Sequence, residues 1–160
     1  MLFENGADAN IEGGYHGTAL QAACSEGLEK TVEILLSQGA NVDIQGGYFT
    51  TALNAAALNC HDQIVKRLLD KNADVNASGG LYGTALQAAA LVGSVTIVEL
   101  LLSKGAAINA DGGCCGTALR MALAHGHRDL VDLLVSNGAD TEGVSSGLGW
   151  RYPPHLGAHG

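Results

Sequence analysis

Aromatic residues and prolines are scarce in this sequence. Phe, Trp and Tyr make up 4% of its 160 residues and there are 2 prolines, yet hydrophobic residues make up 47%. A core with so few aromatic rings has to be built from Ala, Leu, Val and Ile, whose small side chains let helices approach one another closely. The composition therefore favours closely packed helices over a globular core arranged around large rings.

Positive charge is also scarce. The chain has 8 Lys and Arg against 16 Asp and Glu, which gives a net charge of −8. Proteins that bind nucleic acid neutralise its phosphates with basic side chains, and anionic membranes attract proteins through the same kind of charge. We therefore expect neither nucleic acid nor a membrane as the partner of this chain.

We also expect neither a membrane span nor a secretory signal. Its longest apolar run, Ala85 to Leu102, is interrupted by Gln87 and Glu99, and the N-terminus has no basic segment followed by an apolar one. The cysteines are not spaced like a disulfide framework, so we expect reduced thiols and a cytoplasmic or nuclear location. These cysteines are Cys24, Cys60, Cys114 and Cys115.

What the sequence does contain is a repeat of 33 residues. The heptapeptide Gly-Thr-Ala-Leu-Gln-Ala-Ala begins at Gly17 and again at Gly83, and altered copies begin at Thr50 and Gly116. A second marker, Gly-Ala or Asn-Ala, has the same period. It begins at Gly6, Gly39, Asn72, Gly105 and Gly138. Two markers in phase predict a tandem array that folds as a solenoid.

Each unit of the repeat begins its helical part with a threonine. In the third unit Thr84 is followed three residues later by Gln87, the spacing of a capping box. This predicts a short helix A that starts after Thr84 and ends at Gly93, then a helix B that ends at Gly105. The Asn-, Asp- and Gly-rich segment that follows predicts a hairpin loop, which we call the finger. The predicted helix-capping residues are Thr18, Gln21, Thr51, Asn54, Thr84, Gln87 and Thr117.

The repeat divides the chain into units with two irregular ends. We predict an all-α solenoid of about four helix-turn-helix units with fingers, in one repeat domain over residues 1–143. The full units are 9–40, 41–73, 74–106 and 107–139, and a partial unit is 1–8. Because the chain opens inside a helix B, we expect a piece of a longer protein or a truncated gene model. Residues 144–160 are expected to form a disordered or irregular tail, or to fold Trp150 back over the last unit.

No arrangement of residues in the sequence supports catalysis or metal binding. Cys114 and Cys115 precede helix A of the fourth unit, and His125 and His127 follow it. About eight helical residues, each with a rise of ~1.5 Å, therefore separate the cysteines from the histidines. Zinc ligands must share one ion at ~2.0–2.3 Å. The finger glycines lack the lysine of a phosphate loop, and no nucleophile has a base placed to activate it. We expect no enzyme activity, metal, cofactor or small-molecule substrate.

The variable positions of the fingers are the candidate binding site. Two adjacent positions differ between otherwise similar fingers, and they hold most of the aromatic side chains of the chain. Because stacked units are ~10 Å apart, these pairs would form a row of roughly 30 Å that could receive a helix or an extended segment. The alternative is that one member of each pair only packs against the next finger. The predicted protein-binding residues are Tyr15, His16, Tyr48, Phe49, Leu81, Tyr82, Cys114, Cys115 and Arg120, the last of which breaks the capping box.

The unit resembles the ankyrin repeat. That family has a threonine-led short helix, a Gly turn, a Val-x-x-Leu-Leu helix, a Gly-Ala-Asp/Asn-Val-Asn segment and a finger, and its usual Thr-Pro-Leu-His opening appears here as Thr-Ala-Leu-Gln. The Gly-Gly-x-x-Gly-Thr-Ala-Leu-Gln-Ala-Ala wording is most similar to ankyrin arrays of fungal NACHT or STAND-type sensor proteins. The resemblance implies a non-catalytic module that binds a protein partner through the concave face of fingers and helices A. The alternatives are a sensing or autoinhibitory arm of a larger nucleotide-dependent, NLR-like switch protein, and a structural spacer or truncated gene fragment.

Overall fold

The computed structural model of the chain describes residues 8–114, 116–142 and 144. These residues form eight helices in four consecutive pairs, each pair being a helix A followed by a helix B. None of these helices combines the length and the hydrophobicity that spanning a bilayer requires. The helices are α1 (Ala19–Ser25), α2 (Glu29–Ser37), α3 (Ala52–Leu58), α4 (Asp62–Asp70), α5 (Ala85–Val92), α6 (Val95–Ser103), α7 (Ala118–Ala124) and α8 (Arg128–Ser136).

The helices pack in two parallel rows. Helices A contact one another in the order α1, α3, α5, α7, and each also contacts the helix B of its own unit. Ala55 and Ala56 of α3 and Ala88 of α5 are completely buried, so nothing larger than a methyl group separates neighbouring helices A at these points. Leu68, Leu101 and Leu134 fill the layer between the two rows. The predicted all-α solenoid is confirmed.

The helices depend on this packing because each is short. Helices A contain 7 or 8 residues and helices B contain 9, whereas an isolated helix needs about 12–15 residues to persist in water. Burial against the neighbouring units therefore supplies the stability that each helix lacks by itself.

The fingers are small antiparallel hairpins. In the first, β1 (Glu12–Gly13) pairs with β2 (Gly17–Thr18), and in the third, β3 (Ser78–Gly79) pairs with β4 (Gly83–Thr84). The second finger has a single bridge, between Gly46 and Thr50. Each hairpin leads directly into the threonine that begins the next helix A.

The second unit contains all of the described non-glycine residues with a left-handed backbone. Thr50 has φ 71°, Cys60 has φ 59° and Asn72 has φ 60°. At the position of Cys60 the other units have glycine, for example Gly27 with φ 70° and Gly93 with φ 78°. A side chain in this conformation costs roughly 1–2 kcal/mol, because its Cβ approaches the following carbonyl oxygen. The turn of the second unit therefore keeps the shape of the others but is strained.

The predicted ends of the chain lie almost entirely outside the described residues. Of the partial unit 1–8 only Asp8 is described, and of the tail 144–160 only Val144 is described. The boundaries of the predicted units, and the position of Trp150, stay predictions.

The strain at Cys60 gives a stability prediction. Replacing Cys60 by Gly should raise the free energy of unfolding by about 1 kcal/mol, because glycine adopts φ 59° without steric cost. The measurement is urea denaturation followed by circular dichroism. Cys60→Ala is the control, because alanine also removes the thiol but keeps the Cβ. If both variants gain the same stability, the backbone at Cys60 is not the source of the strain.

Candidate binding surface of fingers and helices A

Capping boxes fix the junction between finger and helix A in the first and third units. The Thr18 hydroxyl accepts from the backbone N–H of Gln21 (3.2 Å), and the backbone N–H of Thr18 donates to Gln21 Oε1 (2.7 Å). Thr84 and Gln87 make the same pair of bonds at 3.3 Å and 2.7 Å. Both glutamines are buried. The predicted cap positions thus orient the finger relative to the helix that follows it.

The same glutamines also connect each unit to the next finger. The Gln21 amide donates to the carbonyl oxygens of Ile44, Gly46 and Thr50, at 3.1, 3.1 and 2.8 Å. The Gln87 amide makes the equivalent bonds to the fourth finger, with carbonyl oxygens 2.6 to 3.2 Å away. Sequence reasoning missed this role. The signal for it was the choice of Gln, because a capping box accepts Glu equally well but only an amide can donate.

In the second and fourth units the cap is simpler. Thr51 accepts from the backbone N–H of Asn54 (3.1 Å), but the Asn54 side chain does not reach back; its amide donates to the Gly83 carbonyl of the third finger (3.0 Å). Asn54 Oδ1 is buried without a hydrogen-bond partner. Thr117 accepts from the Arg120 N–H (3.4 Å), and the Arg120 side chain is exposed. The prediction that Asn54 forms part of a cap therefore applies to its backbone and not to its side chain.

The reason for the shorter side chain at Asn54 lies four residues earlier. A Cβ placed on Gly17 would overlap Gln21 Oε1, and one on Gly83 would overlap Gln87 Oε1. The second unit has Thr50 at this position, so a glutamine at position 54 would collide with the threonine. A threonine at position 50 therefore requires a side chain shorter than glutamine at position 54.

The variable finger residues form two rows. The first row is Tyr15, Tyr48, Leu81 and Cys114, and the second row is His16, Phe49 and Tyr82, since Cys115 lies outside the described residues. The described first-row side chains are exposed, with fractions of 60% for Tyr15, 37% for Tyr48 and 49% for Leu81. The second-row side chains are half-buried, and those of Phe49 and Tyr82 pack against the helical core.

The rings of these rows contact one another. Tyr15 stacks on Tyr48 with ring centres 4.7 Å apart, and His16 stacks on Phe49 at 6.1 Å. Tyr48 meets Tyr82 edge-on at 5.8 Å, and their hydroxyl oxygens are 2.7 Å apart. The rings are thus closer together than the ~10 Å expected from the spacing of stacked units, and at Tyr15 and Tyr48 the backbones of the finger tips are themselves in hydrogen-bond contact. The aromatic members of the two rows thus form one cluster over the first three fingers.

The backbone of the finger tips joins some neighbouring fingers directly. The Tyr48 N–H donates to the Tyr15 carbonyl (2.8 Å), and the Cys114 N–H donates to the Leu81 carbonyl (2.9 Å). Within the described residues no such bond connects Leu81 to Tyr48. There Thr50 presents a side chain that lies against Gly79 and Gly80 of the third finger, and the tyrosine hydroxyls make the connection instead.

Two phenols of this cluster, those of Tyr15 and Tyr82, have raised pKa values. The hydrogen bond with Tyr48, followed by partial burial, raises the pKa of Tyr82 to about 12. Desolvation, followed by the neighbouring Tyr48, raises the pKa of Tyr15. Near neutral pH these two side chains therefore offer aromatic surface and hydroxyl groups without charge.

Two histidines, one of them the His127 considered above as a metal ligand, have structural roles at the turns between helices A and B. Nε2 of His61 lies 3.2 Å from the Ser25 carbonyl oxygen, and Nε2 of His127 lies 3.0 Å from that of Leu91. A carbonyl only accepts, so each Nε2 carries the proton and donates to the preceding helix A. Within the residues that the structure describes, no three His, Cys, Asp or Glu side chains are grouped as metal ligands.

A family model described as ankyrin repeats (3 copies) matches residues 1–79 and again residues 78–143. This chain belongs to the ankyrin repeat family. Ankyrin repeats are generally protein-interaction modules without enzymatic activity. No curated protein matches the chain. The similarity to fungal sensor proteins stays a prediction.

A double-mutant cycle tests the dependence of Asn54 on Thr50. Asn54→Gln alone should not stabilise the repeat domain, because its Oε1 would collide with Thr50. With Thr50→Gly the glutamine can form the capping box and the amide bonds, so the two changes together should exceed the sum of the single effects by about 1–3 kcal/mol. The free energies come from urea denaturation. Additivity within about 0.5 kcal/mol would contradict this coupling.

Proposed function

We propose that this ankyrin chain is a non-catalytic interaction module that binds a protein partner through its fingers and helices A. The observation that carries the proposal is the aromatic cluster of Tyr15, Tyr48 and Tyr82 with His16 and Phe49. The aromatic side chains of such a cluster offer a large contact area with few rotatable bonds. Aromatic residues are also enriched at the centres of protein interfaces.

The distribution of exposed apolar side chains supports this surface. Among the described residues the large exposed hydrophobic side chains fall into two groups. Tyr15, Tyr48 and Leu81 belong to the first finger row, and Ile11, Leu28 and Ile34 belong to the first unit. Only the first group extends over three successive units, and a surface of that kind can accept one continuous segment of a partner.

We also propose, as a second candidate, that the array is the sensing or autoinhibitory arm of a larger nucleotide-dependent switch protein of NACHT or STAND type. The supporting observation is that the first and third units contain the identical heptapeptide Gly-Thr-Ala-Leu-Gln-Ala-Ala. Such little divergence between the units of one array is similar to that in the fungal sensor arrays. A phosphate-loop motif encoded upstream would favour this role, and its absence there would count against it.

A cytoplasmic or nuclear location is proposed on the state of the cysteines. Burial raises the pKa of the Cys24 thiol to about 12, so this side chain is held as an unreactive thiol.

A third role, as a structural spacer or truncated fragment, predicts that the isolated chain lacks a cooperative thermal transition.

The proposed surface is tested by affinity capture. Replacing Tyr15 and Tyr48 together by Ala should lower the recovery of the specific partner by at least about tenfold, because truncation of central aromatic residues often costs 2 kcal/mol or more. The measurement is quantitative mass spectrometry of proteins retained from a lysate of the source organism.

The matched control removes two equally exposed apolar side chains elsewhere. Leu28 and Ile34 are 50% and 54% exposed and lie outside the finger rows, so Leu28→Ala with Ile34→Ala should leave partner recovery unchanged. Circular dichroism checks that both variants keep their helices. Equal losses in the two variants would refute the finger surface.

A further inference from the structure

The basic side chains of this chain are almost confined to one side of the solenoid. Among the described residues, Arg120 is the only Lys or Arg in a finger or a helix A. The others belong to helices B or to the residue that follows them: Lys30, Lys66, Arg67, Lys71, Lys104 and Arg128. Arg67 pairs with Glu33 (3.1 Å) and Lys104 pairs with Asp70 (3.6 Å), so part of this charge is already neutralised on the helix B side.

Carboxylates lie on the finger side of the first unit without such compensation. Glu12 is exposed in β1, and its Oε2 lies against Gly46, two residues before Tyr48. Glu26 is exposed at the C-terminal end of α1, next to Ser25, whose hydroxyl lies 3.5 Å from His16 Nδ1. Neither carboxylate forms an ion pair with a basic side chain of the described residues. Glu12 therefore brings an unpaired carboxylate to the second finger at Gly46, and Glu26 carries a second one at the end of helix A of the first unit.

The fourth finger differs in both respects. Its first-row residue is Cys114, and its carboxylate, Asp111, and the Arg120 side chain both lie next to Gly116, although these two described side chains form no ion pair with each other. Negative charge and exposed aromatic surface thus both favour the first two fingers over the fourth as a binding site for a basic segment.

We propose that the surface of Tyr15, Tyr48, Glu12 and Glu26 binds an extended peptide segment that carries arginine or lysine side chains. This inference rests on the proposed function and names the chemistry of the partner. A cation over a tyrosine ring is attracted by the negative face of the ring, and a nearby carboxylate adds a second attraction. Arginine suits the site best, because its planar guanidinium stacks on aromatic rings and donates to a carboxylate at the same time.

The test uses three synthetic nonapeptides with a fluorescein label. The first alternates Arg and Ser, the second alternates Glu and Ser, and the third alternates Pro and Leu. Fluorescence anisotropy gives the dissociation constants at about 50 mM and about 150 mM salt, a range over which screening weakens exposed charge pairs. We expect only the arginine peptide to bind, and its affinity to fall as salt rises.

Two pairs of charge reversals separate the site from the overall charge. Glu12→Lys with Glu26→Lys should weaken the arginine peptide about tenfold. Glu99→Lys with Asp132→Lys makes the same change in net charge on exposed positions of helices B, and it should weaken the peptide less than about twofold. Tyr15→Ala with Tyr48→Ala should weaken it at least about tenfold.

The outcomes distinguish this inference from the proposed function. If both charge pairs weaken binding equally, attraction comes from net charge and the site is refuted. If the glutamate or the proline peptide binds in a way that depends on Tyr15 and Tyr48, the fingers bind a segment of different chemistry, so the inference fails while the proposed function stands. If no peptide depends on the tyrosines and affinity capture does not either, both fail.

Discussion

The buried glutamine amide is the interaction on which the arrangement of the fingers depends. Gln21 and Gln87 each accept one hydrogen bond within their own unit and donate to three carbonyl groups of the next finger. A backbone carbonyl that loses water without gaining a partner costs about 1–3 kcal/mol, and the amide supplies such partners; the Thr50 carbonyl also accepts from the Gly46 N–H. One side chain thus satisfies the backbone of two units and sets the distance between them.

The repeat period, the helix starts and the capping threonines could be predicted from the sequence because they depend on contacts within one unit. Contacts between units could not be predicted in the same way. The amide bonds of Gln21, the bond from His61 to the preceding helix, and the approach of Tyr15 to Tyr48 all join residues of neighbouring units, 23 to 36 positions apart. The sequence shows which residues recur, whereas the geometry of stacking decides which of them meet.

The second unit shows how such contacts constrain the sequence. His61 and His127 lie so close to Gly27 and Gly93 that a Cβ on either glycine would collide with the ring. Cys60 occupies the next such turn, and there the third unit has the small Ser94 in place of a histidine. The replacement of a glycine is thus matched by a smaller side chain in the unit that packs on it, whereas for Thr50 the smaller side chain, Asn54, lies in the same unit.

The amide bonds are also distributed unevenly among the fingers. Three hydrogen bonds from the preceding helix hold the second finger, and three hold the fourth, whereas Asn54 gives the third finger one. We therefore expect the third finger to be less firmly held against the preceding helix A than the second and the fourth. A change in the spacing of the units should then be easiest between the second and third fingers.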